Sequence, residues 1–263
     1  MANKYLARED APFGSDTWEM LDSTLVETAK GELVGRRLLH IEGPFGMGLK
    51  VVPLGDVKSE SGLTVSEFLP VLMIQKTFAL KTRDLASHER DGMGLDTTAV
   101  AEAALEAARL EDNLIFNGAE GVAGLLTAEG SNELKLSAWG EAGAAADDII
   151  KALTELDSAG FHGPYSLALA PGRYNLLFRR YPNGNFSEME HVKTMVTEGI
   201  YKAPILDSGG VLLASGRQYA SIVLGQDMAI GFVGPTGEEV EFSIFESLAL
   251  RIRQPRSICA LKD

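Results

Sequence analysis

The sequence predicts an α+β protein in which amphipathic helices and extended strands occupy separate segments of the chain. Two segments, 15–34 and 97–117, carry apolar residues at steps of three and four, which is the period of a helix with one buried face. A third segment, 240–252, alternates apolar and polar residues, which is the period of a strand. Helices and strands are therefore both expected to contribute to the core.

The first amphipathic helix is predicted over residues 15–34. Ser15 or Asp16 can cap its start, because both side chains accept hydrogen bonds from free backbone N–H groups. Gly35 is expected to end it. The apolar stripe of this helix consists of Trp18, Leu21, Leu25, Ala29 and Leu33.

A longer helix is predicted over residues 97–117, after a cap at Asp96 and before a stop at Gly118. Its apolar face is rich in alanine, so a neighbouring helix or sheet can approach it closely. This favours a central helix that other elements pack against. The face consists of Ala101, Ala104, Leu105, Ala108 and Ile115.

A long hairpin is predicted over residues 49–76, where extended apolar runs are broken by Ser-Glu-Ser-Gly at 59–62. Few large apolar residues lie near the predicted tip. Because an isolated hairpin is barely stable in water, this one is expected to lie on another surface, and a second subunit is one candidate.

Residues 119–145 are rich in Gly and Ala and are expected to connect to a second unit of helices and short strands. Its second helix is predicted to start at Ser187, which forms a capping box with Glu190. The predicted elements of this unit are a helix at 147–159, the helix from Ser187, and strands at 165–170, 200–205, 211–214 and 219–224.

The strand at 240–252 has the clearest pattern, with apolar residues at even positions from Val240 to Ile252. Glu246 interrupts the apolar face. It is therefore expected either to be paired with a cation or to lie at a sheet edge, and a structural ion pair is favoured over a catalytic role.

Composition is typical of a folded protein, since 45% of the 263 residues are hydrophobic and 23% are charged. No apolar run reaches the length of a membrane span, and the first ten residues are too polar for a signal peptide. A cytoplasmic protein is therefore expected. Cys259 is the only cysteine, so neither an internal disulfide nor a thiolate metal cluster is predicted.

The net charge of −13 argues against nucleic acid as the main partner, because phosphate binding depends on clustered Lys and Arg. Membrane binding is not predicted either. An acidic surface could attract cations, but it also serves solubility alone, and the second reading is favoured.

Catalytic motifs are not recognisable in the sequence. The four histidines, at 40, 88, 162 and 191, are too far apart for metal-ligand spacing, and no nucleophile elbow, Walker loop or dinucleotide fingerprint occurs. Adjacent carboxylates occur at Glu111–Asp112, Asp147–Asp148 and Glu238–Glu239, but adjacent residues point in different directions. Neither a metal site nor a catalytic site is predicted, and the chain is not expected to be an enzyme.

A polar turn at Arg179–Ser187 (RRYPNGNFS) separates two predicted helices. Such a loop can line an opening, although an ordinary exposed loop has the same composition. On the pattern of residues alone, the ordinary exposed loop is favoured.

Five segments in order along the chain resemble the shell proteins of the encapsulin family, whose members are also named linocin-type bacteriocins. An opening pattern from Ala11 to Arg37, with one tryptophan and a Gly-Arg-Arg sequence, precedes them. The five segments are HIEGPFG (His40–Gly46), LEDNLIFNG (Leu110–Gly118), GFHGPYSLAL (Gly160–Leu169), IYKAP (Ile200–Pro204) and LGQDMAIGF (Leu224–Phe232).

The resemblance implies the fold of the major capsid protein of tailed phages (Hong Kong 97 type), with a peripheral domain, an axial domain and an extended loop. The helix at 97–117 then becomes the spine helix, and the hairpin becomes the extended loop lying over the next subunit. The implied division is 1–48 (N-terminal helix and start of the peripheral domain), 49–76 (extended loop), 77–145 (peripheral domain with the spine helix), 146–221 (axial domain) and 222–263 (return strands of the peripheral domain).

The resemblance also implies that the subunit assembles with itself into an icosahedral cage of about sixty copies. Such cages enclose a cargo enzyme that carries a C-terminal targeting peptide, with ferritin-like iron storage proteins and dye-decolorising peroxidases as the implied cargo. The peptide is implied to lie against the N-terminal helix. The implied binding residues are Leu25, Ala29, Leu33 and Arg36, while His40 stands where several relatives have an aspartate.

Two further sites follow from the resemblance. Some relatives bind a flavin through a tryptophan before the spine helix, and Arg83 stands at that position here, so no flavin is expected. The turn after Arg179 aligns with the fivefold pore loop of the family. A narrow and largely uncharged pore for small ions and molecules would then be lined by Asn183, Gly184, Asn185, Phe186 and Ser187.

Two other functions remain as alternatives. A phage or prophage major capsid protein would share the fold, although the negative charge and the lack of a basic arm argue against DNA packaging. A peptidase or bacteriocin would need a nucleophile, a base and an orienting acid, which the sequence does not show.

Overall fold

The computed structural model describes residues 4–119, 121–182 and 184–263. Seven α-helices occur in these ranges, together with short 3₁₀ turns at Lys4–Leu6, Arg8–Asp10 and Pro255–Ser257. The helices are α1 (Ser15–Glu32), α2 (Gly35–Leu38), α3 (Thr82–Asp91), α4 (Thr98–Asn117), α5 (Ala144–Ser158), α6 (Pro171–Leu176) and α7 (Glu188–Lys193).

Fourteen strands occur in the described ranges, many of them in consecutive runs without an intervening α-helix, so the protein is α+β, as predicted. They are β1 (His40–Glu42), β2 (Val51–Lys58), β3 (Thr64–Pro70), β4 (Leu72–Lys81), β5 (Gly118–Ala119), β6 (Val122–Ala123), β7 (Asn132–Lys135), β8 (Tyr165–Leu169), β9 (Gly199–Lys202), β10 (Gly210–Ala214), β11 (Ala220–Leu224), β12 (Ala229–Thr236), β13 (Glu239–Ile252) and β14 (Ile258–Lys262).

The chain divides into two compact units, each built from three separate stretches of sequence. The first unit contains Met1–Leu33, Gly43–Glu111 and Val223–Ala249, and the second contains Val34–Glu42, Asp112–Ile222 and Leu250–Asp263. Three of the unit boundaries therefore fall inside secondary-structure elements, namely α4, β11 and β13. The five-part domain division read from the sequence stays a prediction.

In the first unit, β13 is an interior strand that pairs antiparallel with β12 on one side and with β4 on another. Phe242 of β13 lies opposite Phe78 of β4, and their rings stack with centroids 5.1 Å apart. Such cross-strand aromatic pairs stabilise a sheet beyond their buried area. Phe13 and Trp18 also contact Phe242, so the N-terminal segment packs on the same aromatic cluster.

In the second unit, a five-stranded sheet has the order β7, β14, β10, β8, β9. Strands β8 and β10 are buried along their whole length, which fits their largely apolar sequences. Helix α5 covers one face through Ile149, Ala152 and Leu156, all 0% exposed. This packing places the start of α5 and the loop before α7 on a rigid support.

Several predicted elements are confirmed, and others differ in extent. The predicted hairpin ends at Pro70 because residues from Leu72 onward form β4, which pairs with β13 rather than with β2. The spine-type helix is confirmed as α4, and the Asp96 carboxylate accepts hydrogen bonds from Thr98 at its start. Several elements had no prediction of their own: helices α2, α3 and α6, and strands β1, β4, β5, β6, β7, β12 and β14.

Glu246 is fully buried in β13 opposite Ile74 of β4. The N–H of the next residue, Ser247, donates to the carbonyl of Gln226, so β13 is hydrogen-bonded beyond this position as well. The alternative that Glu246 lies at a sheet edge is therefore wrong. Burial inside the sheet is consistent with the structural role that was favoured for this carboxylate.

Candidate functional site

Helix α1 has one buried face and one exposed face, as its apolar period predicts. Leu21, Leu25 and Ala29 are 0%, 2% and 6% exposed. Val26, on the other side of the helix, is 42% exposed. Because residues three and four apart share a helix face, the two faces are determined by the sequence alone.

The start of α1 is held by a residue that the sequence did not suggest. Its cap position is Gly14, and the predicted caps Ser15 and Asp16 lie inside the first turn. The Glu89 carboxylate of α3 accepts hydrogen bonds from the Gly14 N–H, at 3.3 Å, and from the Thr17 hydroxyl. The prediction of a local cap is therefore wrong, since a carboxylate from a distant helix satisfies these donors.

Three of the four residues predicted to bind a cargo peptide lie in the first unit. Leu25, Ala29 and Leu33 are buried, and the last two pack against Ala108 of α4 and the partly buried Met228. These side chains therefore belong to the core of the unit in the isolated subunit. Their role in peptide binding stays a prediction.

Arg36, the fourth predicted binding residue, lies in α2 of the second unit and is half-buried. The Asp112 carboxylate accepts the N–H groups of Val34 and Gly35 at 2.8 and 2.9 Å, which holds the start of α2. A Cβ atom at Gly35 would lie 2.5 Å from the buried side chain of Ile115, so a larger residue here would require Ile115 to move. The backbone that carries Arg36 is thus rigidly placed, and its role also stays a prediction.

The loop predicted to line a pore is closed at its base by backbone pairing. Arg180 and Ser187 form an isolated antiparallel bridge, and the Glu188 N–H donates to the Arg179 carbonyl at 2.9 Å. Within the loop, Gly184 is half-buried and Asn185 is exposed. The predicted residue Asn183 lies outside the described residues.

Phe186 is the prominent side chain of this loop and is 48% exposed. Its ring contacts that of Tyr181, with centroids 5.0 Å apart, and the Tyr181 hydroxyl lies 2.8 Å from Nδ1 of His191. The ring is therefore supported on one side and open on the other. Lining a pore stays a prediction for this loop.

The capping box predicted at the start of α7 is confirmed. The Ser187 hydroxyl accepts the Glu190 N–H, and the Glu190 carboxylate accepts the Ser187 N–H at 2.6 Å. The Glu190 carboxylate accepts hydrogen bonds from the backbone N–H of Ser187 and from its hydroxyl, and both lower the pKa of Glu190, the backbone N–H more strongly. The pair determines where the predicted pore loop ends and the helix begins.

Glu188 anchors the same loop from inside the second unit. It is 0% exposed, and its carboxylate accepts the N–H groups of Gly143 and Ala146, each at 3.0 Å, at the start of α5. Arg179, at the other end of the loop, lies 3.3 Å from the same carboxylate. Both ends of the loop are thus tied to one buried charge, which a helix N-terminus also stabilises.

A second buried carboxylate holds the segment before α5. Asp148 accepts hydrogen bonds from the Ser137 N–H at 2.7 Å, the Trp139 indole N–H at 2.9 Å and the Lys151 ammonium at 2.8 Å. Burial alone would raise the pKa of Asp148, but the hydrogen bonds from Lys151, Ser137 and Trp139 outweigh it and lower the pKa to about 2. Asp148 is therefore charged at neutral pH.

The hairpin formed by β2 and β3 belongs to the first unit and is packed only at its base. There, Val52 contacts Val223 and Ala249 in a small core. Further along, apolar side chains are largely exposed, which is unusual for so many neighbouring residues. They are Leu54 at 45%, Val57 at 49%, Leu63 at 67%, Val65 at 57% and Phe68 at 62%.

Within the described ranges, no three His, Cys, Asp or Glu residues are grouped so that they could hold a metal ion. In the same ranges, none of the helices combines the length and hydropathy that a membrane span requires. Arg83, which stands where some relatives have a flavin-binding tryptophan, is exposed on α3. The expectation that no flavin binds stays a prediction.

Comparison with solved structures defines the class of fold. The virus-like particle from Pyrococcus furiosus matches 94% of this chain and 100% of its own chain, with a TM-score of 0.79 and 24% sequence identity. The capsid of Myoviridae phage XM1 matches 85% of this chain and 88% of its own, with a TM-score of 0.61 and 15% identity. The chain therefore has the capsid-type fold that the resemblance implied.

Sequence comparison then identifies the family. Residues 3–249 match the model of the Linocin_M18 family, described as "Encapsulating protein for peroxidase". The chain is also 31% identical to the type 1 encapsulin shell protein EncA of Myxococcus xanthus, over 98% of this chain and 96% of that protein. This chain therefore belongs to the encapsulin shell-protein family, and the resemblance read from the sequence is confirmed.

Proposed function

We propose that this chain is the shell subunit of an encapsulin compartment, in which many copies close into an icosahedral cage around a cargo enzyme. The observation that carries the proposal is the β2–β3 hairpin, whose apolar side chains beyond its base are 45% to 67% exposed in the described residues of the subunit. Burying about 25 cal/mol per Å² of apolar surface would drive its contact with a neighbouring copy. A cage of about sixty subunits is the smallest closed icosahedral form.

The proposed cargo is a dye-decolorising peroxidase or a ferritin-like iron storage protein. The description of the matching family names a peroxidase, which favours the first class. The shell subunit itself is proposed to have no catalytic role, and the chemistry would then belong to the cargo. The compartment is proposed to lie in the cytoplasm.

The cargo is proposed to carry a C-terminal targeting peptide that binds the shell subunit at α1. The proposed binding site is shaped by Leu25, Ala29, Leu33 and Arg36. The first three side chains are buried in the subunit, so they would hold α1 in position for the peptide. Arg36 would supply the charged group for a carboxylate or carbonyl of the peptide.

Small ions and molecules are proposed to enter through pores lined by Asn183 to Ser187. Phe186 supports this proposal, because its half-exposed ring would face the opening if copies of the loop met around an axis. The loop offers no charged side chain between residues 183 and 187, so the pore would select mainly by size.

One experiment tests assembly and cargo together. The protein is produced in a host that carries the neighbouring genes, particles are imaged by negative-stain microscopy, and co-purifying proteins are identified by mass spectrometry. Closed particles containing a peroxidase or a ferritin-like protein are expected. Monomers and small oligomers at every concentration would contradict the proposal.

A phage major capsid protein is the second candidate, because it shares the fold. The net charge of −13 disfavours a surface that packages DNA. The ratio of absorbance at 260 and 280 nm of purified particles separates the two functions, since particles filled with DNA would have the ratio of nucleic acid.

A further inference from the structure

Several arginines surround one carboxylate in the second unit. Glu42 of β1 accepts hydrogen bonds from the Ser221 hydroxyl of β11, at 2.6 Å, and from the Arg253 guanidinium, at 2.7 Å. Arg253 also donates to the Ser221 hydroxyl at 2.7 Å and to the backbone carbonyl of Arg217 at 2.8 Å. These hydrogen bonds hold the Arg253 side chain, which directly follows β13, in one orientation.

Arg217 brings a second positive charge close to Glu42. Burial alone would raise the pKa of Glu42, but the hydrogen bonds from Ser221 and Arg253 lower it, and so do the nearby charges of Arg253 and Arg217. Arg217 itself is exposed. Its guanidinium therefore acts on the carboxylate while the residue stays open to solvent.

Arg251 adds a third positive charge on the same face of the strand. The Arg253 N–H donates to the Tyr219 carbonyl at 2.7 Å, so the extended pairing of β13 continues to this residue. Side chains two residues apart in an extended strand point to the same side, about 7 Å apart, and Arg251 is therefore the neighbour of Arg253. The Nε atom of Arg251 is buried and has no hydrogen-bond partner among the described residues.

The three arginines, at 217, 251 and 253, are called the arginine cluster below. They exceed the single carboxylate of Glu42 by two positive charges, on a chain whose net charge is −13. Local charge of the opposite sign is not explained by solubility, which the acidic surface already provides. A buried guanidinium donor without an acceptor is also costly, so an anion bound here would stabilise the cluster.

The chemistry of the arginine cluster favours a phosphate group over other anions. Each guanidinium presents N–H donors in a planar fork that matches two oxygens of a phosphate or a carboxylate. A carboxylate has only two oxygens and satisfies one fork. A phosphate has further oxygens for a second arginine, and its double negative charge equals the excess charge of the cluster.

We infer that Arg217, Arg251 and Arg253 form a binding site for a phosphate group, either free or carried by a small organic molecule. Arg217 and Arg251 would donate to the phosphate oxygens, while Arg253, held by Glu42 and Ser221, would position the group between them. Little ordering is needed on binding, because Arg253 is already fixed. The site needs no cage, so it goes beyond the proposed function and stands independently of it.

The experiment is isothermal titration calorimetry on the purified full chain, in chloride buffer of constant ionic strength and slightly alkaline pH. Inorganic phosphate and glycerol phosphate are titrated in parallel, and one phosphate group per subunit is expected to bind. Binding of both probes supports a site for the phosphate group in general, and binding of glycerol phosphate alone supports a site for phosphorylated molecules. Binding of neither probe would overturn the inference.

The variant Arg217→Gln/Arg251→Gln is compared with the control Arg83→Gln/Arg90→Gln. The control removes the same charge at two exposed arginines of α3, in the first unit. Losing charge-assisted hydrogen bonds to a phosphate is expected to weaken binding at least about tenfold, whereas the control should bind as the unchanged protein does. Equal affinities in the two variants would mean that the arginine cluster is not the site.

Two further measurements keep the outcome clear. If the double variant does not fold, as judged by urea unfolding, Arg217→Gln alone replaces it, because this residue is exposed, and a loss of about threefold or more is expected. Phosphate is also titrated into closed particles and into dissociated subunits. Binding to dissociated subunits alone would show that a neighbouring copy covers the arginines with its own carboxylates, and the inference would then be wrong.

Discussion

Two regions of the molecule are stabilised differently. One is the β2–β3 hairpin of the first unit, and the other comprises the loop segments around α5 of the second unit. The hairpin has five apolar side chains that are 45% to 67% exposed beyond its base. The segments around α5 are tied by the buried carboxylates Asp148 and Glu188, which are 1% and 0% exposed. The segments around α5 are therefore held by hydrogen bonds within the described subunit, whereas the apolar side chains of the hairpin stay largely in contact with solvent.

This difference predicts which surfaces would take part in the proposed assembly. Side chains such as Phe68, at 62% exposure, gain buried area only when something outside the subunit covers them. The two ends of the segment between Arg179 and Glu188, by contrast, are joined to each other by the ion pair of these residues. We therefore expect changes in the second region to lower subunit stability, and changes in the hairpin to affect assembly.

Glu188→Ala tests the segments around α5 and should cause the largest loss in the free energy of unfolding. It leaves the N–H groups of Gly143 and Ala146 and the Arg179 guanidinium without their buried acceptor, so the free energy of unfolding should fall by about 3–5 kcal/mol. Urea unfolding at fixed protein concentration measures the loss. Glu190→Ala, which removes an exposed capping interaction, should cost about 1 kcal/mol. Equal losses in the two variants would mean that Glu188 is not an anchor.

Asp148 gives the same region a dependence on pH. Its pKa is lowered to about 2 in the folded protein, so the stability it contributes is present above the unfolded pKa of about 3.9 and is lost as the pH falls through the folded value. Asp148→Asn should therefore lower the free energy of unfolding by about 1–2 kcal/mol at pH 7, and the difference from the unchanged protein should shrink below about pH 4. Urea unfolding between pH 7 and pH 2.5 measures this.

Asp147→Asn is the matched control for this pH dependence, because Asp147 is the exposed neighbour on the same helix. Its effect should stay within about 0.5 kcal/mol at every pH. A pH-independent difference between Asp148→Asn and the unchanged protein would show that the carboxylate charge has no part in holding Ser137 and Trp139.

The sequence predicted the elements with a long regular period and the local caps of α4 and α7, at Asp96 and Ser187. Helices α1 and α4, strand β13 and the Ser187 capping box all follow from neighbours within a few residues. The Glu89 cap of Gly14 joins residues 75 positions apart, and the Glu188 contact with Gly143 joins residues 45 positions apart. No local pattern encodes such pairs, because they depend on which helices the folded chain brings together.

For the predicted binding residues, too, the local pattern gave the helix face correctly but not what that face contacts. Helical period assigned Leu25 and Ala29 to one face of α1, and the structure buries that face. Period cannot say whether an apolar face meets the subunit's own core or a partner, since both look the same in sequence.

Phe186→Ala tests the tip of the anchored loop, where a smaller effect is expected. It removes the contact with Tyr181, which should cost about 0.5–1 kcal/mol of unfolding free energy, while the base of the loop stays paired. In assembled shells, the entry rate of a small quencher to an enclosed fluorophore should change. Phe178→Ala, which alters another exposed ring of the same unit, should leave that rate unchanged. Loss of assembly in Phe186→Ala alone would show that the loop is an interface.

Phe68→Ser addresses the hairpin and should have the smallest effect on the subunit. Because the ring is 62% exposed, the unfolding free energy of the dissociated subunit should change by less than about 0.5 kcal/mol. The yield of closed particles, counted by microscopy and size-exclusion chromatography, should nevertheless collapse, since the apolar contact between copies is lost. Val233→Ser, at a 53% exposed position of β12, is the matched control and should assemble normally. If Phe68→Ser particles form at the normal yield, the hairpin is not the element that needs a neighbouring copy, and its exposed side chains require another explanation.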